Sequence, residues 1–152
     1  MTLDEFFRIG VAVPIGSYTF TPEAIVEFAR KYDPQPFHLS EETARGSIFG
    51  RLCASGWHTA AVWMKCNLAT PPGPWNGPGS GPVLGPSPGF RNLKWLKPVY
   101  AGETVSYTRT ALEHRALASR PGWRVLTLLG EGFDSTGDKV IQFDSAVLVQ
   151  AE

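Results

Sequence analysis

The chain has 152 residues, 43% of them hydrophobic and 18% charged, the size of one ordinary domain and too apolar to remain disordered. Its 14 Lys and Arg balance 14 Asp and Glu, so there is no bulk electrostatic case for nucleic acid or an anionic membrane surface. The 16 glycines and 13 prolines are unevenly spread, with seven prolines and six glycines between Pro71 and Gly89.

The start, Met1-Thr2-Leu3-Asp4-Glu5, is acidic and unlike a secretory signal, and no run reaches the ~20 apolar residues of a membrane span. A cytoplasmic protein is therefore expected, made of a single domain over residues 1–152. Residues 1 to 20 read as extended or irregular, with one short strand at Gly16 to Phe20. Thr21 then fits a helix N-cap, Pro22 the first helical position and Glu23 the positive end of the dipole. Ala24, Ile25, Phe28, Ala29 and Tyr32 recur at helical spacing, and Asp33-Pro34 ends the helix. Ser40 opens a second, short helix.

From Ser55, an N-cap candidate, to Leu68 runs a third helix. Trp57, Ala60, Ala61, Met64 and Leu68 share one face, and Val62, Trp63 and Cys66 make the other sides apolar too. Such a helix is expected to be buried on most sides. After the Pro/Gly stretch, Gly89–Leu96, Thr104–Leu117, Trp123–Phe133 and Lys139–Val149 read as strands separated by turns. With no crossover helix between them, the sheet should be antiparallel, in an α+β layout.

Two segments carry chemistry. Asp33-Pro34-Gln35-Pro36-Phe37-His38 joins a carboxylate and an imidazole, natural parts for proton transfer, through a connector stiffened by two prolines. Spacing alone does not bring the two groups together, since five extended residues span ~17 Å. The same residues also fit a plain turn with a surface histidine. In Ala54-Ser55-Gly56-Trp57, the helix N-terminus offers unpaired N–H groups, and a glycine lets a carbonyl approach the backbone. On these residues alone, a capped helix whose glycine merely allows tight packing is the favoured reading.

Other motifs fail. Gly85-Pro86-Ser87-Pro88-Gly89 has the Gly-x-Ser-x-Gly spacing of a nucleophile elbow, but Pro88 lacks the N–H that its oxyanion hole needs. No metal-ligand, phosphate-loop or dinucleotide pattern is present in the sequence, so no metal site is expected. Cys53 and Cys66 read as free thiols in apolar surroundings, His58 as structural and His114 as exposed.

The stretch Phe28 to Leu39, with Asp33, a Pro-containing loop, His38 and then Glu41 and Glu42, resembles the MaoC-like dehydratases, which include the (R)-specific enoyl-CoA hydratases. Ser55-Gly56-Trp57 resembles the family's glycine-opened central helix. Leu93 to Thr104 resembles its strand, Pro-Val turn and Gly-Glu-Thr strand start. The resemblance implies a hot-dog fold, an antiparallel sheet wrapped around one long helix, in a homodimer. It further implies a hydro-lyase acting on a trans-2-enoyl or (R)-3-hydroxyacyl thioester of CoA or carrier protein. Asp33 and His38 would be catalytic, the Gly56 N–H would bind the thioester carbonyl, and Ser55 and Trp57 would border the pocket. Ser55 stands where many members have His. No cofactor is implied beyond CoA as part of the substrate. A hot-dog acyl-CoA thioesterase and a non-catalytic acyl-thioester binder are the alternative readings. The Pro71 to Gly89 segment is expected to border the acyl pocket.

Overall fold

A computed structural model describes residues 1–151. In chain order the elements are α1 (Leu3–Phe7), β1 (Ala12–Thr19), α2 (Pro22–Tyr32), a 3-10 turn (Pro36–His38), α3 (Glu41–Arg45), α4 (Gly56–Ala69), β2 (Val83–Leu84), β3 (Gly89–Trp95), β4 (Thr104–Ala116), β5 (Trp123–Phe133) and β6 (Lys139–Gln150). All strand pairs are antiparallel, in the order β1-β4-β5-β6, with β2 and β3 both pairing with β6. The sheet is antiparallel, as the absence of crossovers suggests, and it curls around α4, as the resemblance implies.

The helix starts follow local chemistry. The Thr21 hydroxyl accepts from Ala24 N–H, and Ser40 accepts from Thr43 N–H, each satisfying an orphan donor of a first turn. The N-terminal region departs from the expected irregular chain. Thr2 and Glu5 form a capping box that supports α1, and the strand begins at Ala12 rather than Gly16. Phe7 on α1 packs with Ala111, Leu126 and Val149 on the sheet. Asp4 accepts from His114 Nε2–H, whose Nδ1 accepts from Arg124. That network makes His114 part-buried, not exposed, because α1 covers it.

Helix α4 is tied to β4 at three points on one face. Tyr107 O–H donates to the Thr59 carbonyl, Trp63 Nε1–H to the Thr108 carbonyl, and Arg109 to Asn67. Thr59, Trp63 and Asn67 are four residues apart, so they lie along one stripe of the helix. Val62 and Trp63 fill the core with Ile15, Val105, Ile141 and Phe143. Truncating a side chain as large and buried as Trp63 would cost about 3–5 kcal/mol.

The expectation that α4 is buried on most sides needs correction. His58, Thr59, Val62 and Trp63 face the core, whereas Trp57 is 50% and Leu68 74% exposed. Most of the stripe Trp57, Ala61, Met64 and Leu68 points outward in the single chain, because one curled sheet covers only one side of a helix. Phe90 and Trp95 on β3 and the adjoining Leu96 are also about half exposed, and among the described residues β3 pairs with β6 alone.

Candidate active site

The ends of α2 and α4 meet at one place. Asp33 caps the C-terminus of α2, and the 3-10 turn at Pro36–His38 folds the chain back immediately. Pro34 stops the helix, and Pro36 starts the tight turn with its fixed φ. The two prolines thereby convert an extended reach into a contact. His38 Nε2 lies 3.5 Å from Asp33 Oδ2, with side chains only 7% and 15% exposed.

Each partner is held from a second direction. Ser55 O–H donates to Asp33 Oδ2 at 2.6 Å, and the Gln35 amide donates to Asp33 Oδ1 at 2.6 Å. His38 Nδ1 lies 2.6 Å from the Cys53 carbonyl oxygen. A carbonyl only accepts, so Nδ1 carries a proton, and in the neutral form of the ring Nε2 is an acceptor turned toward Asp33. In that form Nε2 and Oδ2 are two acceptors facing each other. A donor between them satisfies both.

Ser55 also accepts from Trp57 N–H, so one hydroxyl caps α4 and holds Asp33. Gly56 is the first helical residue, where no intrahelical acceptor exists for the N–H. A Cβ on Gly56 would overlap the Trp95 indole, which in turn meets Trp57 edge-on with ring centroids 5.0 Å apart. Gly56 therefore permits a close approach that another residue would block.

Asp33, His38, Gly56 and Trp57 share one cavity of about 390 Å³, walled also by Phe37, Trp95 and Val99, a volume suited to a small ligand. Ser55, expected at the pocket, stands fully buried behind its wall with its hydroxyl turned to Asp33. The sequence reading missed Gln35, the Cys53 carbonyl and Trp95. Gln35 lies between the two prolines and was open to notice. The Cys53 and Trp95 contacts depend on tertiary packing.

Other candidates fall away from chemistry. Burial pushes the Cys53 thiol up to about 11, and although its Sγ lies 3.7 Å from His38 Nδ1, the Cys53 carbonyl oxygen is far nearer that nitrogen, at 2.6 Å. Burial lowers His58 to about 4, where it stacks on Phe28 at 4.6 Å. Lys97 reaches the cavity wall, but its ammonium donates to Asp134 and Asp138 in the β5–β6 turn. Ser87 of the rejected elbow is bonded to Gly89 backbone atoms. No residue of the Pro71 to Gly89 segment lines the Asp33–His38 cavity. Pro71, Pro72, Leu84 and Ser87 border a different, larger one.

Comparison with known proteins gives the family and the fold. Residues 11–120 match the family model for the MaoC like domain. The chain belongs to the MaoC-like family. Its structure superposes with a TM-score of 0.81 on a MaoC-like dehydratase from Rhodospirillum rubrum, 32% identical, covering 100% of this chain and 98% of that one. The (R)-hydratase from A. caviae involved in PHA biosynthesis shares the hot-dog fold, with a TM-score of 0.66, 21% identity, and coverage of 95% and 96%. A curated relative, the uncharacterized protein YdeM of Bacillus subtilis (strain 168), is 27% identical over 150 residues, 99% of each chain. This MaoC-like chain thus has the hot-dog fold. No helix among its described residues is long and apolar enough to cross a membrane.

Proposed function

We propose that this MaoC-like protein is a hydro-lyase that adds water to a trans-2-enoyl thioester, or removes it from an (R)-3-hydroxyacyl thioester, of CoA or a carrier protein. The observation that carries the reading is the facing pair of acceptors, Asp33 Oδ2 and His38 Nε2, 3.5 Å apart at one wall of the cavity. A water that donates one hydrogen to each oxygen and nitrogen has a lone pair left for C3 of the substrate.

Attack forms the O–C3 bond and moves the C2=C3 π pair toward the thioester oxygen. The Gly56 N–H, reinforced by the positive end of α4, meets that developing charge. The Asp33–His38 pair takes the water proton and returns a proton to C2 on the same face. The reverse sequence eliminates water. Ser55 and Gln35 hold the Asp33 carboxylate in place, and the Cys53 carbonyl fixes the His38 tautomer. No cofactor enters this sequence beyond CoA carried by the substrate.

The working form is a homodimer in this reading. The free edge of β3, with Phe90 and Trp95 half exposed, and the outward stripe Trp57, Met64 and Leu68 form an apolar surface that a second copy would cover. Product analysis tests the reaction. Incubation with a trans-2-enoyl-CoA should give the intact thioester with a new 3-hydroxyl. Release of free CoA and acid instead would establish a thioesterase, and an unchanged substrate across a range of chain lengths would leave only binding.

A further inference from the structure

A second cavity, larger than the one at Asp33 and His38, shares no lining residue with it. About 470 Å³ sits beneath the second half of α4, against Phe7, Trp63, Leu126 and Leu128, with Pro71 and Pro72 at its border. Its lining contains two charged groups, Arg8 and Arg109, and no carboxylate. Arg8 is exposed. Arg109, on β4, is part-buried and points to the helix end.

Among the described residues, Arg109 bonds through Nη1 alone, to the Asn67 carbonyl at 3.3 Å and the Asn67 side-chain oxygen at 2.8 Å. Both acceptors are neutral. The negative end of the α4 dipole offsets part of the buried charge, but a guanidinium has five N–H donors in a planar fork. Burial without a counter-charge lowers the Arg109 pKa, although a guanidinium stays protonated in proteins. A part-buried cation in an apolar chamber is complementary to one kind of group: an anion attached to an apolar body.

We propose that this cavity binds an apolar chain ending in a carboxylate, with the carboxylate on Arg109 and the chain against Phe7, Leu126 and Leu128. The planar carboxylate matches the guanidinium fork, and the volume is that of a small-molecule site. Two sources share this chemistry: a free fatty acid, and the far end of an ω-carboxyacyl thioester. The site itself stands without the reaction proposed for Asp33 and His38, since binding is read directly.

The test compares decanoate with decan-1-ol by titration calorimetry and by the fluorescence of the cavity tryptophan, Trp63, on the full chain. Decanoate should bind at least tenfold more tightly than the alcohol. Arg109→Gln should remove that difference while leaving alcohol binding in place, and Arg109→Lys should retain part of it. Leu128→Trp, which fills the chamber, should weaken both ligands. Equal affinities in the unmodified protein overturn the proposal, and that comparison decides alone should Arg109→Gln fail to fold. Unchanged decanoate affinity in folded Arg109→Gln overturns it as well. Turnover separates the sources. An ω-carboxy-enoyl-CoA preferred at least tenfold over its methyl-ended counterpart, with the preference lost in Arg109→Gln, identifies the substrate's own tail. Decanoate binding that leaves turnover untouched identifies a separate fatty-acid ligand.

Discussion

Ser55 and Asp33, 22 residues apart, are joined by a 2.6 Å hydrogen bond from the serine hydroxyl to the carboxylate. The same hydroxyl caps α4 by accepting from Trp57 N–H. One side chain thus fixes the direction of the helix that carries Gly56 and the position of the carboxylate. Ser55→Ala should lower kcat by about 10–100-fold with KM little changed, because misplacement near 1 Å is costly to a positioned pair. Loss of the cap should also cost about 1 kcal/mol of stability. A kcat within twofold of that of the unmodified protein would contradict this role.

Gly56 and Trp95 should be coupled. An added methyl at Gly56 overlaps the Trp95 indole, so Gly56→Ala should destabilise by about 1–3 kcal/mol through overpacking. In a Trp95→Ala background the same change should cost less than about 0.5 kcal/mol. Urea unfolding of the four proteins gives the coupling, and equal costs in both backgrounds would show that the indole is not the obstacle.

Cys53 should be dispensable to the chemistry. Its thiol is held up at about 11 by burial, so it remains protonated at neutral pH and is a poor nucleophile. In a Cys66→Ser background, folded protein should resist alkylation by iodoacetamide at pH 8 and become labelled on unfolding. Cys53→Ala should keep most of the activity, since His38 is held by the backbone carbonyl. The raised pKa also means that stability is intact below about pH 9 and falls as pH rises toward 11, where the unfolded chain loses the proton first.

His58 sets a second pH window. Burial lowers its pKa from 6.5 to about 4, so the unfolded chain binds the proton before the folded one does. Its contribution is complete above about pH 6.5 and is lost progressively as pH falls to 4, by at most about 3 kcal/mol. Chemical denaturation across pH 4 to 7 should show a shallower acid decline for His58→Phe than for the unmodified protein. Parallel curves would place the acid sensitivity elsewhere.

Much of this fold was legible because its signals are local. Thr21-Pro22-Glu23 opens α2 and Asp33-Pro34 ends it where the sequence suggests, and β5 runs over the expected Trp123 to Phe133. The short α1 was missed because its capping box, Thr2 with Glu5, spans only a few residues and the helix is held by Phe7 packing on the sheet. The burial of α4 was misjudged for a different reason. A helix apolar all round does not say which of its faces the chain's own sheet reaches, and Trp57 and Leu68 lie beyond it. At the site, Asp33, His38 and Gly56 were visible as residue types in suggestive places. Their convergence, the role of Ser55 behind the wall and the Trp95 roof depend on contacts across the fold that no spacing encodes.

The central claim is that Asp33 and His38 together move the elements of water on and off an enoyl thioester. The most direct measurement follows the loss of conjugated thioester absorbance with a panel of trans-2-enoyl-CoA substrates, for the unmodified protein, Asp33→Asn and His38→Ala. Hydration by the unmodified protein, reduced at least a thousandfold in each variant while both keep the native thermal unfolding profile, is the expected result. Full activity in either variant would contradict the account.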